Sequence, residues 1–391
     1  MTATAVAASD ALWGSQLGGN QGAETVLGFL FIWTAVTMNI LSLRYMKWVP
    51  NLGAILRLTL LAFFAILVVI TGAQHGFKGT LGGFFPTNTT VLIGVVGVLV
   101  FQWVGFELQT NASEEMENPQ RDIPRAVYAS GIISFLGYAV PILGVVLILS
   151  TDQLSNVAGF VKGYQYASSS VFGGAAPFFN HAAAVAFIFV LLSSGTTWLM
   201  GSDRLMAIGA LAGSGPKQLG HFSSRFGTPV VVNVLSGILA TLFMFGTFFL
   251  TANLGTFFAV VLGLVISTTT FSYILIFPAL ITLRRKYPNV PRPFVVPGGQ
   301  AGAWICVILT MFWVIAATVF ALWPGLFTST WNGPVGNLDR SRFELYTFGA
   351  IAVLGVLAVV FWAVGRGHAV NTQPTITSAG PTPLPAGAPG A

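Results

Sequence analysis

Charge is what this sequence has least of. Only 7% of its 391 residues are Asp, Glu, Lys or Arg, against about 25% in a soluble globular protein. A solvated surface cannot be built at that density, so a soluble enzyme and a disordered chain are both excluded. Cysteine is down to one, Cys306, which excludes a disulfide framework and a Cys-based metal site. The four histidines (His75, His181, His221, His368) are scattered, and no HExxH, GxSxG or GxxxxGK(S/T) occurs. No nucleophile–base pair and no metal or cofactor motif is legible, so the chain does not read as an enzyme. Apolar residues dominate instead, at 54%, with a mean hydropathy of +0.80. That composition belongs to a membrane. The 45 glycines and 33 phenylalanines suit closely packed membrane helices.

A membrane-crossing helix needs about 20 apolar residues. Nine runs qualify: 25–43, 54–72, 91–113, 126–149, 178–200, 229–250, 257–283, 302–323 and 345–364. They are too long, and alternate too little, for barrel strands. Residues 1–24 hold no Lys or Arg and no compact apolar core, so they do not form a secretory signal peptide. The end of the chain is Pro, Ala, Gly and Thr without periodicity. The expected organisation is an extracellular segment at 1–24, a transmembrane domain at 25–365 and a disordered cytoplasmic tail at 366–391.

The basic residues orient the helices. With nine spans, 13 Lys and Arg fall on one side, among them Arg44, Lys47, Arg121, Arg204, Arg284, Arg285, Lys286 and Arg366. The other side holds 4: Lys78, Lys162, Arg340 and Arg342. The positive-inside rule then puts the N-terminus outside and the C-terminus in the cytoplasm of a multi-pass cell-membrane protein. The net charge of +6 is spent on orientation and implies no nucleic-acid partner.

The third run is the most informative. It reads Phe101-Gln102-Trp103-Val104-Gly105-Phe106-Glu107. Glu107 is the one carboxylate well inside any run, and an ionisable residue there costs on the order of 3 kcal/mol unless paired or wetted. Two readings stand side by side. Glu107 caps a half-helix at an early membrane exit, or the helix breaks at Val104-Gly105-Phe106 and offers backbone groups to a substrate.

The chain then continues Glu114-Glu115-Met116-Glu117-Asn118-Pro119-Gln120-Arg121-Asp122-Ile123-Pro124-Arg125. With the Gly-aromatic-Glu break before it, this stretch resembles the amino acid–polyamine–organocation (APC) permeases. Ser202-Asp203-Arg204-Leu205-Met206-Ala207 is similar to that family's loop after its eighth helix. Leu283-Arg284-Arg285-Lys286-Tyr287-Pro288 is similar to the loop after its tenth. The resemblance covers roughly residues 25 to 365. It implies an all-α, leucine-transporter-type fold of twelve helices, of which the nine runs match the fourth to the twelfth. The first three have no counterpart here, and the expectation is that the chain alone does not transport by the family mechanism.

The resemblance also implies roles. The carbonyls around Trp103, Val104 and Gly105 would accept a substrate ammonium, with Phe106 at the break. Phe101 matches an aromatic gating position, and Glu107 an acidic residue of gating and proton response. Ser193, Ser194 and Thr196 would face the site, although small hydroxyl residues in an apolar helix are also ordinary packing contacts. Ser267 to Thr270 are a weaker case of the same kind. Arg57 stands where relatives often carry a lysine that replaces a sodium ion. A guanidinium stays protonated, so Arg57 reads either as a fixed cation or as an anchor reaching for the interface.

The function implied is secondary transport of an amino acid or related amine across the cell membrane, by rocking of a four-helix bundle against a scaffold. Protons are the candidate coupling ion, and no cofactor is implied. The alternative is a non-transporting remnant, or a subunit covered by a partner. The substrate, the oligomeric state and the choice between symport and exchange are not legible.

Overall fold

The computed structural model describes residues 10, 17, 20–41, 48–78, 96–108, 110, 116, 118–150, 159–250, 254–290, 292, 294–323 and 340–368, with the backbone alone at 21, 247–250, 254–260 and 342. Among them the chain is helical, with turns and no strand. The helices are α1 (Gln21–Ile40), α2 (Trp48–His75), α3 (Pro119–Ile148), α4 (Gly159–Phe172), α5 (Ala176–Gly209), α6 (Val230–Leu250), α7 (Leu254–Ile276), α8 (Ala279–Lys286), α9 (Gly299–Leu322) and α10 (Arg340–Gly365). A short helical stretch at 96–101 precedes the break at 102–107.

Seven helical stretches among the described residues are long and apolar enough to cross a membrane, and Val230–Gly246 is a shorter apolar helix. The remaining run of the sequence reading is the broken one at 91–113, of which 91–95, 109 and 111–113 lie outside the described residues. The tail from 369 onward lies outside them too.

Local chemistry sets where helices start. Asn20 caps α1, its side chain accepting from the Ala23 N–H at 3.2 Å, and Glu24 sits in the first turn beside the positive helix end. Pro119 occupies the first turn of α3, where its missing N–H leaves nothing unpaired. Helix therefore begins inside the Glu114–Arg125 stretch that carries the family resemblance, and Arg121 and Arg125 belong to the first two turns of α3. Proline acts the other way at Pro278. It has no N–H to give the preceding turn, and the chain passes from α7 to α8 through turns at Phe277 and Pro278.

Two findings correct the sequence reading. Helix α4 was not among the nine runs. It is amphipathic, with Val161, Tyr164, Ala167 and Ser168 buried on one face. Val161, Tyr164 and Ala167 join Phe64, Leu67 and Val68 of α2 and Ala183 and Ala184 of α5 in one buried apolar cluster. Helix α5, in turn, does not stop at 200. It runs to Gly209 and ends in a π-turn at Ala210–Ser214, so Asp203 and Arg204 lie in helix, not in a loop.

The packing is pairwise. Helix α2 lies against α5, α3 and α4; α1 lies against α6 and α5; and α7 lies against α9 and α10. Small residues set the spacing. Gly144 of α3 and Gly163 of α4 meet the Phe64 ring, and Gly53 of α2 sits directly on Ser193 of α5. Outward faces stay apolar: Ile132, Phe135, Leu242, Phe312, Val356 and Val359 are all exposed. Such surface needs lipid, not water.

Candidate functional site

The site forms where the helix of the third apolar run stops early. Up to Gln102, whose N–H bonds the Val98 carbonyl at 3.1 Å, the ladder is α-helical. The next bonds are one residue tighter: Trp103 N–H to the Val100 carbonyl at 3.1 Å and Val104 N–H to that of Phe101 at 3.0 Å. Gly105 then takes φ +99°, a conformation that side-chain-bearing residues rarely adopt. As a result the carbonyls of Gln102, Trp103 and Val104 accept no hydrogen bond among the described residues. Backbone acceptors left free in an apolar setting require a polar partner.

Glu107 closes the turn. One carboxylate oxygen, Oε2, accepts the Gly105 N–H at 3.1 Å. The other, Oε1, accepts the hydroxyl of Tyr273 on α7 at 2.6 Å. The carboxylate thus caps its own turn and also joins the break to a second helix. Phe106 tilts against Tyr273 at 6.3 Å between centroids and stacks at 8° against Phe277, at 6.5 Å.

Helix α5 supplies the opposite wall. The Trp198 ring rests on Gly105, 3.0 Å from where a Cβ would stand, and Leu108 lies over Gly201. Ser194, Trp198 and Gly201 share one helical face by their spacing, which is the face turned to the break. Ser193 and Thr196 are buried elsewhere. Ser193 donates to the Val49 carbonyl of α2 at 3.1 Å, and Thr196 bonds back to the Leu192 carbonyl at 3.0 Å beside Met38 of α1. The structure therefore brings Gly105, Phe106 and Glu107 together beside Trp198 of α5, leaves Ser194 half-buried one turn before it, and turns Ser193 and Thr196 toward helix packing. Phe101 and Val104 are half-buried, Trp103 is exposed, and Arg57 is exposed on α2. Ser267 and Thr270 are buried against α9, where the Thr270 and Thr318 hydroxyls lie 2.8 Å apart.

Sequence reasoning missed Tyr273 and Trp198. Tyr273 was a lone hydroxyl aromatic in an apolar run, three residues past the Thr cluster that drew attention. It also missed a second polar site. Asp203, 3% exposed, accepts from Ser236 of α6 at 2.7 Å and lies 3.4 Å from the Asn39 amide of α1, which also donates to Asn233 of α6 at 3.0 Å. Four polar side chains from three helices thus tie α1, α5 and α6 together. No group of three or more His, Cys, Asp or Glu able to hold a metal occurs among the described residues.

A sequence model of the amino acid permease family matches residues 1–336. The chain belongs to the amino acid permease family. This permease is thus a multi-pass membrane protein with an all-helical fold of the APC type. It is 26% identical over 315 residues to a probable agmatine/putrescine antiporter of Lactococcus lactis, covering 80% of this chain and 66% of that protein. It is 25% identical over 361 residues to an uncharacterized transporter of Legionella pneumophila, covering 90% and 74%. It is 22% identical over 296 residues to the branched-chain amino acid permease BcaP of Bacillus subtilis, covering 73% and 58%. The chain thus spans less than two thirds of two of these three relatives. The family match reaches residue 1 and stops before α10, whereas the resemblance read from the sequence ran from 25 to 365.

Proposed function

We propose that this permease moves an amino acid or a related amine across the membrane, taking the substrate's ammonium at the break beside Glu107. The observation that carries the proposal is the pairing of freed carbonyls at Gln102, Trp103 and Val104 with a carboxylate three to five residues on. Carbonyl dipoles and a carboxylate are both acceptor groups, and an ammonium offers three donors. Membrane transporters use unwound helix in this way to coordinate polar cargo. Two relatives, a probable agmatine/putrescine antiporter and a branched-chain amino acid permease, support that substrate class.

Glu107 and Tyr273 form the gate in this reading. Their 2.6 Å bond links the broken segment to α7. Any rocking of the broken segment against α7 must break or re-form that bond. A substrate ammonium competing for the carboxylate would release Tyr273 and couple occupancy to movement. Arg57 acts as a fixed cation on α2, since a guanidinium keeps its proton. Protons are the proposed coupling ion, with Glu107 the acceptor.

The test is uptake and counterflow of labelled amino acids and diamines into proteoliposomes bearing the chain joined to the three helices that the family carries ahead of it, with Glu107→Gln and Tyr273→Phe beside it. Glu107→Gln is expected to abolish the pH dependence of exchange. Tyr273→Phe is expected to raise leak without abolishing binding. An unaltered pH profile in Glu107→Gln would reduce that residue to a helix cap.

A further inference from the structure

Residues 204–338 contain no Asp or Glu, yet they hold seven of the basic residues. Three of these are consecutive at the end of α8: Arg284, Arg285 and Lys286. Arg285 and Lys286 are exposed and make no ion pair among the described residues. Arg284 keeps its Nε buried without a hydrogen-bond partner. Beside them opens a groove of about 490 Å³ between α8 and the first turns of α9. Ile281 and Val307, both buried, belong to the small apolar cluster at its base. Trp304 forms one side, with the Arg285 guanidinium 5.3 Å above its ring. Arg285 and Lys286 stand on the rim, and Thr282 lines the wall.

We propose that this groove binds the headgroup of an anionic phospholipid. Three features point to a lipid. The cations sit at the end of an apolar membrane-crossing segment, the depth at which headgroups lie. The base is apolar, which suits the glycerol and first methylenes of an acyl chain. A tryptophan edges the groove, and tryptophan is enriched at that interface. Charge complementarity supplies the selection: basic residues with no carboxylate of their own segment to neutralise them attract anionic headgroups. This site is separate from the break at Glu107, and its occupancy does not depend on the transport reading.

The test places the purified chain in nanodiscs of equal phosphatidylglycerol and phosphatidylcholine and weighs co-released lipids by native mass spectrometry. Wild type is expected to hold phosphatidylglycerol over phosphatidylcholine by roughly tenfold. Arg285→Gln with Lys286→Gln should fall to the ratio of the bulk lipids. Arg285→Lys with Lys286→Arg keeps both charges and should keep the lipid. Lys217→Gln with Arg225→Gln removes two exposed cations elsewhere and should change nothing. Enrichment that survives in the double glutamine variant overturns the proposal. So does loss of enrichment in millimolar inorganic phosphate, which would assign the groove to a soluble anion.

Discussion

At the residue scale, two positions carry more than their neighbours. Gly105 holds φ +99° under the Trp198 ring. Alanine there meets both the backbone strain and the ring, at a cost of about 1–3 kcal/mol. Gly105→Ala is expected to lower the thermal unfolding temperature in detergent. Gly131→Ala, in a helix with open space around it, should leave that temperature unchanged or raise it. Asp203 is the second position. It accepts from Ser236 and neighbours Asn39, and removing it strands buried donors at about 1–3 kcal/mol each. Asp203→Ala should therefore destabilise clearly more than Asp203→Asn, which keeps an acceptor for the Ser236 hydroxyl. Equal unfolding temperatures for the two variants would show that the bonds carry no weight.

At the scale of the element, α5 is the hub. It meets α1, α2, α4 and α6 and backs the break through Trp198 and Gly201. Its end explains how α10 is held. The π-turn at Ala210–Ser214 contains Gly213 at φ +85°. Gly365 comes so close to Gly213 and Gly215 that a Cβ would overlap their backbone. One turn earlier Phe361 packs on Ala207, Ala210, Leu219 and Val232. Gly365→Ala must push backbone aside, and backbone cannot yield by a rotamer change, so a loss of about 1–3 kcal/mol is expected. Gly355→Ala, ten residues earlier with nothing within 4 Å, is the matched control and should be silent in the same unfolding assay.

At the scale of the molecule, orientation follows from the 13-to-4 division of basic residues. The proposal is an N-terminus outside and a C-terminus in the cytoplasm. Single cysteines at Ser9 and at Thr375, in a background with the exposed Cys306 replaced by serine, would report it. An impermeant maleimide on whole cells should label the first and spare the second. The reverse pattern inverts the assignment, and the lipid groove at α8 and α9 with it.

Several features were legible in the sequence because they are local. Run length and scarcity of charge determine that the chain crosses a membrane, since uncompensated polar groups cannot remain in lipid. Glycine next to an aromatic residue and a carboxylate marks the break, since only glycine takes φ +99° readily and a lone Glu at that depth needs a partner. The family motif beyond it does the same for kinship. What Glu107 pairs with was decided by the tertiary structure alone, because Tyr273 stands 166 residues away on α7. So was the direction in which Ser193 and Thr196 turn, because a helix fixes the angle between side chains but not which face meets a neighbour. Asp203 and Arg204 read as loop for the same reason. The Asp203 carboxylate stays buried in helix because Asn39 and Ser236 arrive from α1 and α6 to meet it, and a linear pattern holds no record of their arrival.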